Sequence, residues 1–237
     1  MIELENLNRT FQVGVQRIHA LKKINLTINK GEYVSIMGPS GSGKSTLLNV
    51  IALLDQPSSG KYTLNKQVVT QLNDDQLAQV RRENIGFVPQ NPFTSLSPMT
   101  KIEKQFFCSS SKKLELLKLV GLESWVLNRF PTQLSGGQLQ RVVIAISLST
   151  NAKLLLLDEP VAGVAGPLAE KIFNNLRNIV SQTGISILVI EHNMDFILRR
   201  GVDRIIVMDQ GKVLMQGTPD EVKDSKEVIE AYLGGAG

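Results

Sequence analysis

Apolar residues recur along this chain with two periods. Ile2 to Leu7 and Ile24 to Ile28 alternate in the manner of half-buried strands, with Lys30-Gly31-Glu32 turning the chain before the next element. Tyr33 to Met37, Leu154 to Leu157, Ile185 to Ile190 and Arg204 to Met208 are nearly continuous apolar runs, which predicts strands covered on both faces. Ile85 to Val88 is a further strand, cut off by Pro89. Between these runs the period lengthens. Thr46 to Leu54 predicts a helix with a wide apolar face, stopped by Asp55 to Gly60. Asp74-Asp75 opens a short helix to Arg82. Lys112 to Val120 predicts another, with Leu114, Leu117 and Val120 on one face and Gly121 as its stop. A helix runs from Gly136 to about Thr150, and the next, over about 167–182, turns Leu168, Ile172, Leu176 and Ile179 to one side. Thr218-Pro219-Asp220-Glu221 has the form of a capping box with proline in the first turn, and Asp224 to Leu233 predicts a terminal helix. Strands that alternate with helices predict an α/β fold with a mostly parallel sheet. The strands at the start imply an N-terminal antiparallel β subdomain, and residues 91–130 a short inserted helical subdomain.

Length and composition fit such a domain. The chain has 237 residues, a mean hydropathy of +0.00 and a 42% hydrophobic fraction, enough for one large α/β domain with an inserted lobe. No apolar stretch approaches the roughly 18 residues that span a bilayer. The start, Met1-Ile-Glu-Leu-Glu5, lacks the basic and apolar regions of a secretory signal. Cys108 is the single cysteine, so an internal disulfide is excluded and a reducing cytosol is expected. The net charge is +4 and the pI about 9.2. The basic residues occur as scattered pairs (Lys22-Lys23, Arg81-Arg82, Lys112-Lys113, Arg199-Arg200), which reads as a solvated surface rather than a nucleic-acid stripe.

Candidate chemistry gathers at the strand ends. Gly38, Pro39, Ser40, Gly41, Ser42, Gly43, Lys44, Ser45 and Thr46 stand between the strand 33–37 and a helix, which is a P-loop in its proper context and marks a P-loop NTPase core. Its glycines let successive backbone N–H groups face a phosphate at a helix N-terminus. Lys44 is placed to reach the β- and γ-phosphates of ATP, and Ser45 to ligate Mg²⁺. Asp158 and Glu159 end the four-leucine strand. Asp158 suits Mg²⁺, and Glu159, one residue on, suits the attacking water. No zinc-type spacing and no Ser/His/Asp arrangement is present.

One more run changes the picture. Leu134-Ser135-Gly136-Gly137-Gln138 lies between the P-loop and the Asp158-Glu159 strand, and in that order it resembles the signature of the ABC-type ATPases. The resemblance covers nearly the whole chain. It implies a head-to-tail dimer, homo- or heteromeric, in which Ser135, Gly136, Gly137 and Gln138 of one subunit cap the γ-phosphate held by the other. It implies that Gln90 senses Mg²⁺ and the water, that His192 contacts the γ-phosphate, and that Phe11 stacks on adenine. The catalytic set is then Lys44, Gln90, Glu159 and His192, and the Mg²⁺ set Ser45, Gln90 and Asp158. The implied activity is ATP hydrolysis that drives transport. The implied partners are a second ATPase subunit and integral membrane subunits, with the protein peripheral on the cytoplasmic face; no nucleic acid is expected. The chain divides into 1–90 (β subdomain and P-loop core), 91–150 (helical subdomain with the signature) and 151–237 (second half of the core and C-terminal helices).

Within the family the halves resemble different branches. Residues 1–90 are similar to lipoprotein-releasing and macrolide-export ATPases. Residues 158–237, with Asp-Glu-Pro-Val-Ala-Gly-Val-Ala165 and Val228-Ile-Glu-Ala-Tyr-Leu233, are similar to ATPases of branched-chain amino acid importers. Asn91 to Pro98 is similar to peptide importers. A divergent natural protein and an engineered chimera would both give this mosaic. Three positions depart from the family: Ala162 to Ala165 lacks the D-loop aspartate, Ile146 stands where an arginine is usual, and the lobe around Lys104 to Ser111 is short. Two other readings stand beside the transporter ATPase: a binding-only domain, and an ATP-dependent clamp on nucleic acid, whose relatives carry coiled coils or zinc modules that this chain lacks.

Overall fold

The computed structural model describes residues 1–191 and 201–234. A long hairpin of β1 (Ile2–Val13) and β2 (Gln16–Ile28) opens the chain, and β3 (Tyr33–Met37) leads through the P-loop into α1 (Lys44–Ile51). Then come β4 (Ser59–Leu64), β5 (Gln67–Val68), α2 (Asp74–Asn84) and β6 (Ile85–Val88). Short 3₁₀ turns and α3 (Ser110–Leu119) fill the insert before α4 (Gly136–Leu148), β7 (Leu154–Asp158) and α5 (Gly166–Thr183). The chain closes with β8 (Ser186–Ile190), β9 (Arg204–Asp209), β10 (Lys212–Gly217), α6 (Pro219–Lys223) and α7 (Lys226–Gly234).

Six strands form the central sheet in the order β10-β9-β3-β8-β7-β6, parallel except for the edge strand β10. Alternate residues of its inner strands face two separate cores. Tyr33, Met37, Leu155, Leu157, Ile187 and Val189 point to one face, where α3, α4 and α5 pack. Val34, Ile36, Leu154, Leu156, Leu188 and Ile190 point to the other, with α1, α2 and the second sheet. Continuous apolar runs are required because both faces are covered. Parallel strands release their C-terminal ends along one edge. The segments after β3, β8, β7 and β6 therefore emerge side by side.

The second sheet is antiparallel, in the order β2-β1-β4-β5. Its hairpin extends well past the expected Leu7, and Asn8 to Leu21 was not predicted as strand. Register shifts between Leu4 and Leu7 and between Leu7 and Thr10 interrupt strict alternation. These bulges keep Leu4, Leu7, Leu21 and Ile24 inward while the outer hairpin stays exposed. β4, β5 and β10 were likewise not predicted. The first helix stops at Ile51, short of the expected Leu54: the Tyr62 hydroxyl caps the Ile51 carbonyl at 2.9 Å and Leu53 adopts φ +57. Of the face expected for α3, Leu117 and Val120, just past the helix end, are buried, but Leu114 is 48% exposed and Leu116 faces the core in its place. The terminal helix begins at Lys226 rather than Asp224, because α6 forms a turn of its own capped by Thr218. Among the described residues no helix is long and apolar enough to cross a membrane.

Candidate functional site

The P-loop curls because Gly38 and Gly43 take conformations closed to other residues, with φ +146 and +100. A Cβ on Gly38 would strike the Met208 carbonyl, and one on Gly43 would meet the Ala20 carbonyl at 2.6 Å. The loop is pinned from the side. Gly211, in the β9–β10 turn, donates its N–H to the Ser42 carbonyl at 3.0 Å and accepts from Lys22 N–H at 2.8 Å. β2 and the loop thus share one brace. Lys44 is buried and its ammonium donates to the carbonyls of Gly38 and Pro39, both at 2.9 Å. Burial pushes its pKa down, while Glu159 and then Asp158 push it back up.

Asp158 closes β7 with its carboxyl raised above the ordinary range, first by burial, then by the Glu159 charge, against the pull of Lys44. Glu159 follows in a left-handed conformation, φ +43, which a non-glycine residue holds only under constraint. Its N–H donates to the Ile190 carbonyl at 3.1 Å and its carbonyl accepts from Ala162 N–H at 3.0 Å. The Gln90 amide, two residues beyond the end of β6, donates to the Glu159 carboxylate at 2.8 Å. Two parallel strands that are neighbours in the sheet thereby deliver a glutamine and a glutamate to one point.

A cavity of about 690 Å³ opens over the loop, lined by Gly38 to Gly41, Gly43 to Thr46 and Glu159. It collects the predicted loop residues except Ser42, which is buried. Its remaining walls were not predicted: Ile18, His19 and Lys22 from β2, Gln210 and Gly211 from the β9–β10 turn, and Tyr232 from α7. No local motif marks these residues, since they come from elements distant in sequence. Phe11 is not part of the lining; Arg9 lies over its ring at 4.3 Å and is itself held by Asp55 at 2.7 Å. Of the hairpin residues that line the cavity, Ile18 lies directly across the strand pair from Phe11. His192 falls outside the described residues.

The signature starts α4 in a different place. Ser135 caps the helix: Gln138 N–H donates to its hydroxyl at 3.4 Å, and Ser135 N–H donates to the Gln138 side chain at 2.9 Å. Ser135 and Gly136 are exposed and do not line the cavity. Gly137 is buried, with Leu168 of α5 where its Cβ would stand. Arg141 anchors this turn from below by donating to the Gly137 and Gly121 carbonyls at 3.1 and 2.7 Å.

A phosphate-binding loop, a glutamine–glutamate pair at the neighbouring strand ends and an exposed serine-capped helix start with two glycines in its first turn define an ATP-hydrolysing P-loop protein of the cassette class. The profile of the ABC transporter family matches residues 21–162, and that of the branched-chain amino acid ATP-binding cassette transporters matches 212–237. The chain belongs to the ABC transporter family and is one of its ATPases. An uncharacterized ABC transporter ATP-binding protein of Methanocaldococcus jannaschii, MJ0796, is 39% identical over 225 residues, which cover 90% of this chain and 95% of that protein. Its solved dimer bound to ADP and Pi superposes with a TM-score of 0.83 at 36% identity, over 92% of this chain and 99% of that one. The macrolide export ATP-binding/permease protein MacB of a Shewanella species is 37% identical over 90% of this chain, which spans about a third (34%) of that longer protein.

Proposed function

We propose that two copies of this ATPase close head to tail on two ATP molecules and that hydrolysis drives membrane-spanning partner subunits at the cytoplasmic face. The observation that carries this reading is the Gln90–Glu159 bond at 2.8 Å, joined to the P-loop through a cavity that Glu159 and Lys44 both line. The exposed Ser135-Gly136 turn lies outside that cavity, so a second copy is what brings a signature to it. The solved MJ0796 dimer supports the pairing. In functional terms the chain divides at 1–90, 91–150 and 151–237.

The residues' roles follow from their positions. Backbone N–H groups of Gly41 to Lys44 receive phosphate oxygens at the start of α1. Lys44 exchanges the Gly38 and Pro39 carbonyls for β- and γ-phosphate oxygens. Glu159 orients the attacking water and takes up its proton as the water oxygen bonds the γ-phosphorus, and the bond from that phosphorus to the bridging oxygen breaks to give ADP and phosphate. Gln90 holds the Glu159 carboxylate in place. Ser135 to Gln138 of the partner copy supply further N–H donors, Phe11 and Ile18 the base-side contact, and His192 a γ-phosphate contact.

The donors near the loop suit Mg²⁺. Ser45, Asp158 and Gln90 offer oxygen ligands, and the Asp158 carboxyl, its pKa raised by burial and by Glu159, would gain from a cation beside it. Among the described residues no cluster of three or more His, Cys, Asp or Glu could hold a metal without help, so the ion would be shared with the phosphates. When bound it neutralises charge on the β- and γ-oxygens.

Glu159→Gln tests the reading. Turnover should fall about 10²–10⁴-fold, the range for loss of a general base, while ATP binding stays and a nucleotide-bound dimer accumulates on size exclusion. Wild-type turnover in that variant would remove Glu159 from its role. Turnover stimulated by nucleic acid would favour a clamp instead.

A further inference from the structure

Tyr232 of α7 reaches the wall of the phosphate cavity from a helix near the end of the described chain. Its ring packs on the core beneath the sheet. Its hydroxyl is buried and finds no partner at full hydrogen-bond geometry. The group nearest to serving it is the Gly38 backbone amide, which lowers the hydroxyl's pKa against the stronger upward push of burial. A buried polar atom with no completed hydrogen bond is costly and uncommon in a native fold, and it calls for a cause.

Gly38 supplies one. Its carbonyl is one of the two that hold the Lys44 ammonium. An ammonium has three donors, so Lys44 cannot bind both a β- and a γ-phosphate oxygen and keep both carbonyls; ATP binding frees at least one of them. Across its α-carbon the same residue carries the N–H that faces Tyr232, and the position tolerates no side chain because a Cβ there would strike the Met208 carbonyl. Gly38 therefore sits between the Met208 carbonyl and Tyr232, so a change at its carbonyl is passed across its α-carbon to its N–H.

We propose that Tyr232 is a positioning residue for the P-loop: its hydroxyl completes a hydrogen bond with the Gly38 amide when the loop holds a phosphate, and so stabilises the nucleotide-bound loop over the free one. This rests on the cavity's being the ATP site. It assigns the C-terminal helix a part in nucleotide affinity. Tyr232 acts through Gly38 and Lys44 and touches no reacting atom.

Tyr232→Phe keeps the ring in the core and removes only the hydroxyl. ATP affinity is measured by calorimetry on the parent and the variant, without and with Mg²⁺, alongside Tm without nucleotide and steady-state kinetics. One hydrogen bond made only in the bound state is worth about a three- to tenfold rise in Kd and KM, with kcat unchanged. Tm without nucleotide should hold or rise, because the variant deletes a buried hydroxyl that lacked a partner. An unchanged Kd would overturn the proposal, and an unchanged Kd with a lower Tm would make Tyr232 a packing residue alone. A parent that binds no ATP would sink the reading of the cavity and this inference with it; a parent that binds with a variant that binds equally well sinks only the inference.

Discussion

Asp158 is held where its charge is disfavoured. Burial and the neighbouring Glu159 raise its pKa above the ordinary 3.8. A carboxyl with a raised folded pKa supports the fold fully below its ordinary value and withdraws that support as pH rises through the folded value. Asp158→Asn should therefore raise Tm at neutral pH in protein free of nucleotide and Mg²⁺. The gain should vanish near and below pH 3.8, where the parent's carboxyl is protonated in both states. Thermal melts across that range check it, and a flat difference with pH would refute it. Turnover should be lost at every pH, which is the ordinary exchange between stability and function at a site. The local sequence marks the positions of Asp158, Glu159, Lys44 and the loop glycines, because strand end and helix start impose their geometry within a few residues. It does not mark Tyr232, whose role depends on a peptide almost two hundred residues away.

At the scale of the element, α4 separates two glycines that look alike in sequence. Gly136 is exposed with open space at its Cβ, whereas Gly137 sits against Leu168. Gly137→Ala should lose about 1 kcal/mol, the low end of overpacking, because the Leu168 terminal carbons can swing aside. Gly136→Ala should leave Tm unchanged and still bind ATP, but lose turnover, because a methyl group stands where the signature must approach the partner's nucleotide. Melting and ATPase assays on the pair separate packing from contact; equal loss of Tm in both would mean the signature turn is only structural. The helix itself was legible from its period, whereas the Ser135–Gln138 capping pair at its start is seen only in the fold. α3 shows the limit: Leu114, Leu116, Leu117 and Leu119 fit more than one face, and packing against α4 and α5 selects Leu116 and Leu117. The hairpin shows another, since bulges erase the alternation that identifies a strand.

At the scale of the molecule, one sheet divides two cores and, among the described residues, brings the segments after β3, β6 and β7 together beside the phosphate loop. ATP at about 100 times its Kd should stabilise the fold by about 2.7 kcal/mol. For a chain of this size that is a rise in Tm of roughly 5–11 °C. With Glu159→Gln and ATP, Tm should also climb with protein concentration, because dimer formation adds mass action to ligand binding. A Tm independent of concentration, checked beside light scattering, would leave the chain monomeric and the head-to-tail pairing unsupported. The branched-chain importer resemblance of the C-terminal part recurs in the second family profile, over residues 212–237, whereas the first, over 21–162, is that of ABC transporters generally. The second covers the helix that carries Tyr232.

The sequence by itself determined the central strands, the principal helices and the phosphate loop, because hydrophobic period, capping and glycine geometry act over a few residues. It also carried the family, through motifs whose order is as informative as their letters. Only the tertiary structure decided which face of α3 is buried, where the hairpin bends, that Gln90 meets Glu159, and that β2, the β9–β10 turn and α7 wall the cavity. Those contacts join elements whose separation along the chain leaves no periodic or local trace, so packing in three dimensions alone selects them.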